Sequence, residues 1–94
     1  MAEIKVREAG SGESSFDFEV EIIEGGGSTR HRVRVGKEDY EKLTGGRVTP
    51  AELVEKSFEF LLEREPKESI LRSFDLNVIP AYFRDYPRLI KNYF

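Results

Sequence analysis

The sequence predicts an α+β fold: a three-stranded antiparallel β-meander followed by a short helix, a long amphipathic helix and short C-terminal helices packed on one face of the sheet. Three observations predict it. Apolar and charged residues alternate through most of the first 35 residues, the two-residue period of half-buried strands. The run TPAELVEKSFEFLLEREP, residues 49–66, carries helix signals at both ends. Six of the eleven aromatic residues lie after Ser73, enough apolar surface for the tail to cover a helix.

Residues 2–8 place Ala2, Ile4 and Val6 on one side and Glu3, Lys5 and Arg7 on the other, a first strand. A polar loop over 10–15 leads to the second strand, 16–24, where Phe16, Phe18, Val20 and Ile22 alternate with Asp17, Glu19 and Glu21. After the Gly25-Gly26-Gly27-Ser28 turn, His31, Val33 and Val35 alternate with Arg30, Arg32 and Arg34 in the third. With Gly26-Gly27 as a two-residue hairpin loop, Glu21 lies opposite Arg32, Glu19 opposite Arg34 and Ile22 opposite His31. Pairing Lys5 with Glu19 sets Arg7 against Asp17 and leaves Glu3 against Glu21 as the repulsive pair. Cross-strand pairs contribute roughly 0.2–1 kcal/mol each, enough to bias register, while the apolar face drives folding.

Residues 38–43 predict a short helix anchored by Tyr40 and Leu43 and ended by Gly45-Gly46. In the central helix Thr49 can N-cap, Pro50 suits the first helical position and Glu52 can complete a capping box. Pro66 disfavours helical geometry at Glu65, so the helix should end near there. At about 100° per residue, Glu52, Glu59 and Glu63 form a polar stripe, whereas Leu53, Val54, Phe58, Phe60, Leu61 and Leu62 spread over half the circumference. So wide an apolar arc requires a neighbour on each shoulder: the sheet and the aromatic tail. Residues 67–74 suggest a short helix burying Ile70, Leu71 and Phe74, and Asn77 is the expected N-cap of a helix through Tyr82 and Phe83. Pro87 interrupts again, and residues 88–94 carry Leu89, Ile90, Tyr93 and Phe94.

Ninety-four residues make one domain, 1–94, with one modest core. A net charge of −3 disfavours bulk attraction to nucleic acid or to an anionic membrane. Without cysteine there is no disulfide, thiolate zinc site or cysteine nucleophile, and no apolar run approaches twenty residues, so the expected location is cytoplasmic and away from the membrane.

No catalytic apparatus is visible, and no cofactor or metal is expected. His31 is the sole histidine, points to the inner face of the sheet and reads as structural. The glycine stretches are each followed by a strand and contain no GKS or GKT, which makes them turns rather than phosphate loops. Ser11, Ser14 and Ser15 have no adjacent base, and the glutamate stripe lies on a convex face that encloses a cation poorly.

Two surfaces remain as candidates for binding. The first is the tail, where Tyr82, Tyr86, Tyr93 and Phe94 could meet another protein, and where the interleaved Tyr82, Phe83, Arg84, Tyr86, Arg88, Lys91 and Tyr93 could stack bases of single-stranded RNA, if the aromatics are not needed for the core. The second is the basic strand. Arg30 to Glu65, a basic strand, a short helix, a glycine turn and a helix opening TPAELV, resembles a ribbon-helix-helix unit in element order. That resemblance implies a DNA-binding dimer or antitoxin-type regulator in which Arg30, Arg32 and Arg34 read the major groove from a strand shared between two copies. The competing reading is a sheet face whose arginines are neutralised by Asp17, Glu19 and Glu21. Residues 59–87, with KES-I-L-x-x-FDL-x-VI-x-x-YF at their centre, also resemble a family of short prokaryotic proteins without an assigned activity, which implies a shared fold and no site. The expected role is therefore a non-enzymatic protein-interaction module, with nucleic-acid binding as the alternative.

Overall fold

The computed structural model describes residues 2–94. Strands β1 (Glu3–Ser11), β2 (Ser15–Glu24) and β3 (Gly27–Gly36) form the expected antiparallel meander, and the helices follow it. A fourth strand, β4 (Ser73–Asp75), adds to β3 in parallel, giving the order β1-β2-β3-β4.

Both hairpins are shifted by two residues from the expected register. The β2–β3 loop is Gly25-Gly26, with φ of 62° and 81°, not Gly26-Gly27. Both loop residues must take positive φ in this tight turn, and closing it on Glu24 and Gly27 leaves that task to two glycines. Arg30, Arg32 and Arg34 consequently face Glu21, Glu19 and Asp17, and His31 faces Val20 rather than Ile22. In the first hairpin Lys5 faces Glu21, Arg7 faces Glu19 and Glu3 faces Ile23, so the Glu3–Glu21 repulsion does not arise. The pairing slips between Glu8 and Gly10, leaving Ala9 as a bulge residue that simple counting across the loop misses. Since each shift is even, every side chain keeps its predicted face.

Helix α1 (Lys37–Thr44) ends on Gly45 at φ 62°, a left-handed cap that a glycine adopts without strain. Tyr40 is half-buried against the edge of the Phe16 ring, and its hydroxyl donates to the Val48 carbonyl. Helix α2 (Pro50–Leu62) begins as expected: the Glu52 amide donates to the Thr49 hydroxyl at 3.1 Å, with Pro50 in the first turn. It stops three residues short of Glu65, and the Arg64 guanidinium donates to the freed Phe60 carbonyl at 2.9 Å. The segment expected as one helix over 67–74 is instead a 3₁₀ turn (Lys67–Ser69) followed by β4, so Leu71 is left outside the core. Asp75, not Asn77, provides the next cap by accepting the Asn77 amide at 3.0 Å. A 3₁₀ turn (Leu76–Val78) runs on into α3 (Ile79–Tyr82), which places Pro80 in the first turn of α3, where no amide hydrogen is required. Helix α4 (Tyr86–Leu89) and a last 3₁₀ turn (Ile90–Tyr93) complete the tail.

Helix α2 has a neighbour on each shoulder. Phe58 packs towards the sheet, 5.4 Å from the His31 ring and 5.9 Å from Phe74. Phe60, about 200° further round, meets Phe83, Tyr86 and Tyr93 of the tail edge-on at 5.2–6.1 Å. Together with Val20, Ile22, Val33, Leu53, Leu76 and Ile90 these rings form one apolar cluster.

Candidate protein-binding surface

The four tail residues singled out in the sequence are not brought together. Tyr86 is 1% exposed, and its hydroxyl pairs at 2.7 Å with that of Ser57, buried on α2. Burial pushes its phenol pKa well above the usual tyrosine value. Tyr86 is therefore corrected from surface to core, because a hydroxyl with a buried partner allows the whole ring inside. Tyr93 and Phe94 are half-buried against the core, with the Tyr93 hydroxyl donating to Glu63. Of the aromatics read as a base-stacking set, Phe83, Tyr86 and Tyr93 all pack on Phe60, so they form no continuous exposed stripe with Tyr82 for successive RNA bases. Tyr82 alone is fully at the surface, at 68% exposure.

Tyr82 lies on a groove between β4 and α3, a cavity of about 100 Å³ lined by Leu61, Leu71, Phe74, Val78, Tyr82 and Phe83. Leu71, 46% exposed, is the other large apolar residue left at the surface among the described residues, and it lines the same groove. Glu65 stands among the lining residues, its carboxyl pKa raised by burial. Leu71 was missed in the sequence because a helical reading of 67–74 turns it inwards. Three residues of strand give too little alternation to reveal β4, although Phe74 between Ser73 and Asp75 is the trace of it.

On the opposite face of the sheet, Arg34 pairs with Asp17 at 3.2 Å and Arg30 approaches Glu21 to 3.9 Å. Glu19 is taken by Arg7 at 2.6 Å, so Arg32, directly across from it, has no carboxylate within 4 Å among the described residues. Arg72 likewise lacks one, and it lines with Lys5, Arg30 and Arg32 a depression on this face that also holds Glu19 and Glu21, a surplus of cations over carboxylates. The shared-strand arrangement implied by the ribbon-helix-helix resemblance has no edge available: β3 is paired with β2 on one side and β4 on the other.

His31 is 2% exposed on the inner face. The Leu71 carbonyl can only accept, so Nδ1 carries the proton and donates to it at 2.7 Å. Nε2 then accepts from the Thr29 hydroxyl at 2.8 Å. Burial lowers the imidazole pKa, with the Arg72 charge adding to the effect and the Leu71 hydrogen bond opposing it. Both nitrogens are thus occupied: the Leu71 bond ties the segment leading into β4 to β3, and Thr29, on β3 itself, fixes the ring in that orientation.

Comparison with protein-family models, curated proteins and solved structures finds no match to this chain. Among the described residues, no helix is long and apolar enough to cross a membrane, and no group of three or more histidine or carboxylate side chains is placed to hold a metal ion.

Proposed function

We propose that this chain is a non-enzymatic protein-binding module whose contact surface is the groove between β4 and α3. The observation that carries the reading is the convergence of Leu71 and Tyr82, the large apolar side chains exposed to solvent among the described residues, on one apolar cavity. Single exposed apolar residues are ordinary, but two that flank a concave apolar site form a contact patch. At about 100 Å³ the cavity suits one aliphatic side chain, since an apolar void of about 150 Å³ holds benzene. The catalytic alternative has little to work with: the histidine is enclosed and both its nitrogens are engaged.

The test places a photo-crosslinking p-benzoylphenylalanine at Tyr82 in cells that make the protein, with the same residue at exposed Asn92 as the control. An adduct at position 82 that is absent at 92 and is lost when Leu71→Glu is added is the expected outcome. No adduct at 82, or equal adducts at both positions, overturns the reading.

A further inference from the structure

The free edge of β4 separates two chemically distinct surfaces. In the parallel β3–β4 ladder, Arg32 lies level with Ser73, and its amide donates to the Arg72 carbonyl at 2.7 Å. A residue in a parallel ladder bonds to the two residues flanking its partner, so the N–H and C=O of Ser73, and by the same alternation those of Asp75, point away from β3. β4 ends the sheet and Ser73 is exposed, so the N–H and C=O of Ser73 and the N–H of Asp75 face an unoccupied strand position, whereas the Asp75 carbonyl, at the N-cap of the 3₁₀ turn Leu76–Val78, is taken by that turn. On the inner side of that position lies the groove of Leu71, Phe74, Val78 and Tyr82. On the outer side stand Arg32 and Arg72, the two arginines of this face without a carboxylate partner among the described residues.

We infer that β4 receives an extended segment of another protein as a fifth strand, and that this segment alternates apolar with acidic residues. This rests on the protein-binding reading above and specifies the partner. Side chains of an added strand alternate between the two faces of the sheet. Every second residue would therefore enter the apolar groove, and those between would meet Arg32 and Arg72. The carboxylate belongs at the Arg72 end of β4: the depression there sets Lys5, Arg7, Arg30, Arg32 and Arg72 against only Glu19 and Glu21, whereas Asp75 and Asp17 occupy the outer face at the other end. A second copy of this chain fits poorly: two β4 strands would pair over only three residues, and each runs directly into the 3₁₀ turn at Leu76, which leaves too few backbone bonds to hold a dimer. With so few backbone bonds, specificity comes from the two faces, and binding of a short peptide is expected to be weak and salt-sensitive.

The experiment titrates ¹⁵N-labelled full-length protein with the capped peptide Val-Glu-Val-Glu-Val at low salt, following amide shifts, with Val-Lys-Val-Lys-Val and Ser-Glu-Ser-Glu-Ser as comparisons. The expected result is saturable shifts at Ser73, Phe74, Asp75 and Tyr82. The lysine and serine peptides should bind at least five-fold more weakly, and Arg72→Glu should weaken the valine–glutamate peptide at least five-fold while Arg72→Lys does not. Arg72 is exposed, so neither variant threatens the fold. Equal binding of the glutamate and lysine peptides, with shifts at Leu71 and Tyr82 but none at Ser73, overturns strand addition and leaves apolar docking in the groove standing. Concentration-dependent shifts at Ser73 without peptide identify the occupant as a second copy and overturn the inference. Absence of binding by all three peptides at millimolar concentration also overturns it, and the crosslink at position 82 then decides separately whether the groove binds protein at all.

Discussion

The two edges of the sheet are built on opposite plans. β1 is nine residues long, carries Lys5 and Arg7 on its outer face and is interrupted by the Ala9 bulge. Helix α2 lies against its inner face, over half-buried Ile4 and Val6. β4 has three residues, no lysine or arginine within it, and an apolar groove beside it. Long exposed edges are hazards that natural sheets blunt with charge and bulges. β1 shows both devices, whereas a three-residue edge offers too few backbone groups to support runaway pairing. The difference teaches that edge protection is spent where length makes it necessary, so the unprotected edge is also the one suited to a partner.

What holds β4 is mostly side-chain contact, since three register pairs join it to β3 against ten between β2 and β3. Phe58 is the residue whose loss should break the comparison most severely. Its buried ring touches both His31 and Phe74, and Phe58→Ala should cost about 3–5 kcal/mol in urea denaturation. Amide exchange should accelerate more in β4 than in β1. A loss below about 1 kcal/mol would mean that the cavity collapses without cost and that β4 does not depend on this ring.

A smaller effect follows from His31. Its folded pKa lies below the unfolded value near 6.5, so the unfolded chain binds more protons in that window and stability rises with pH. The contribution is fully present above about pH 6.5 and is lost progressively as pH falls from there through the folded value. Denaturation midpoints between pH 8 and 5 should therefore drop towards acid, and His31→Gln should flatten the slope at the cost of some stability at every pH. The raised pKa of Glu65 acts in the opposite direction, adding stability as pH falls through its folded value. An unchanged slope in the His31 variant would assign the acid sensitivity elsewhere.

The half of the molecule built on repetition was the half legible in its sequence. Alternation through Phe16, Phe18, Val20 and Ile22 assigned faces correctly even though both registers were displaced by two residues, because an even shift leaves faces intact. Thr49-Pro50 located the start of α2, and its wide apolar arc implied the two neighbours it has. The candidate site was hardly legible. Of the four tail residues considered, Tyr82 alone is fully exposed, since the burial of Tyr86 depends on Ser57, 29 positions away in the chain. Leu71 and Arg72 owe their exposure to β4, whose pairing with β3 is a tertiary contact that a three-residue window does not encode.

The mildest perturbation concerns β1 and separates stability from edge protection. Lys5 and Arg7 are exposed, and the pair between Arg7 and Glu19 lies in solvent, where such bridges contribute at most about 1 kcal/mol. Replacing both residues by valine should leave the denaturation midpoint nearly unchanged, since valine suits an exposed strand and the core is untouched. The same replacement removes two cations from a nine-residue edge whose outward backbone groups are unpaired. Sedimentation equilibrium should then show mass rising with concentration for the Lys5→Val, Arg7→Val double variant and not for Ser73→Val on β4, where the strand is too short to propagate pairing. If the double variant remains monomeric, the Ala9 bulge alone protects this edge, and the contrast between the edges reduces to geometry rather than charge.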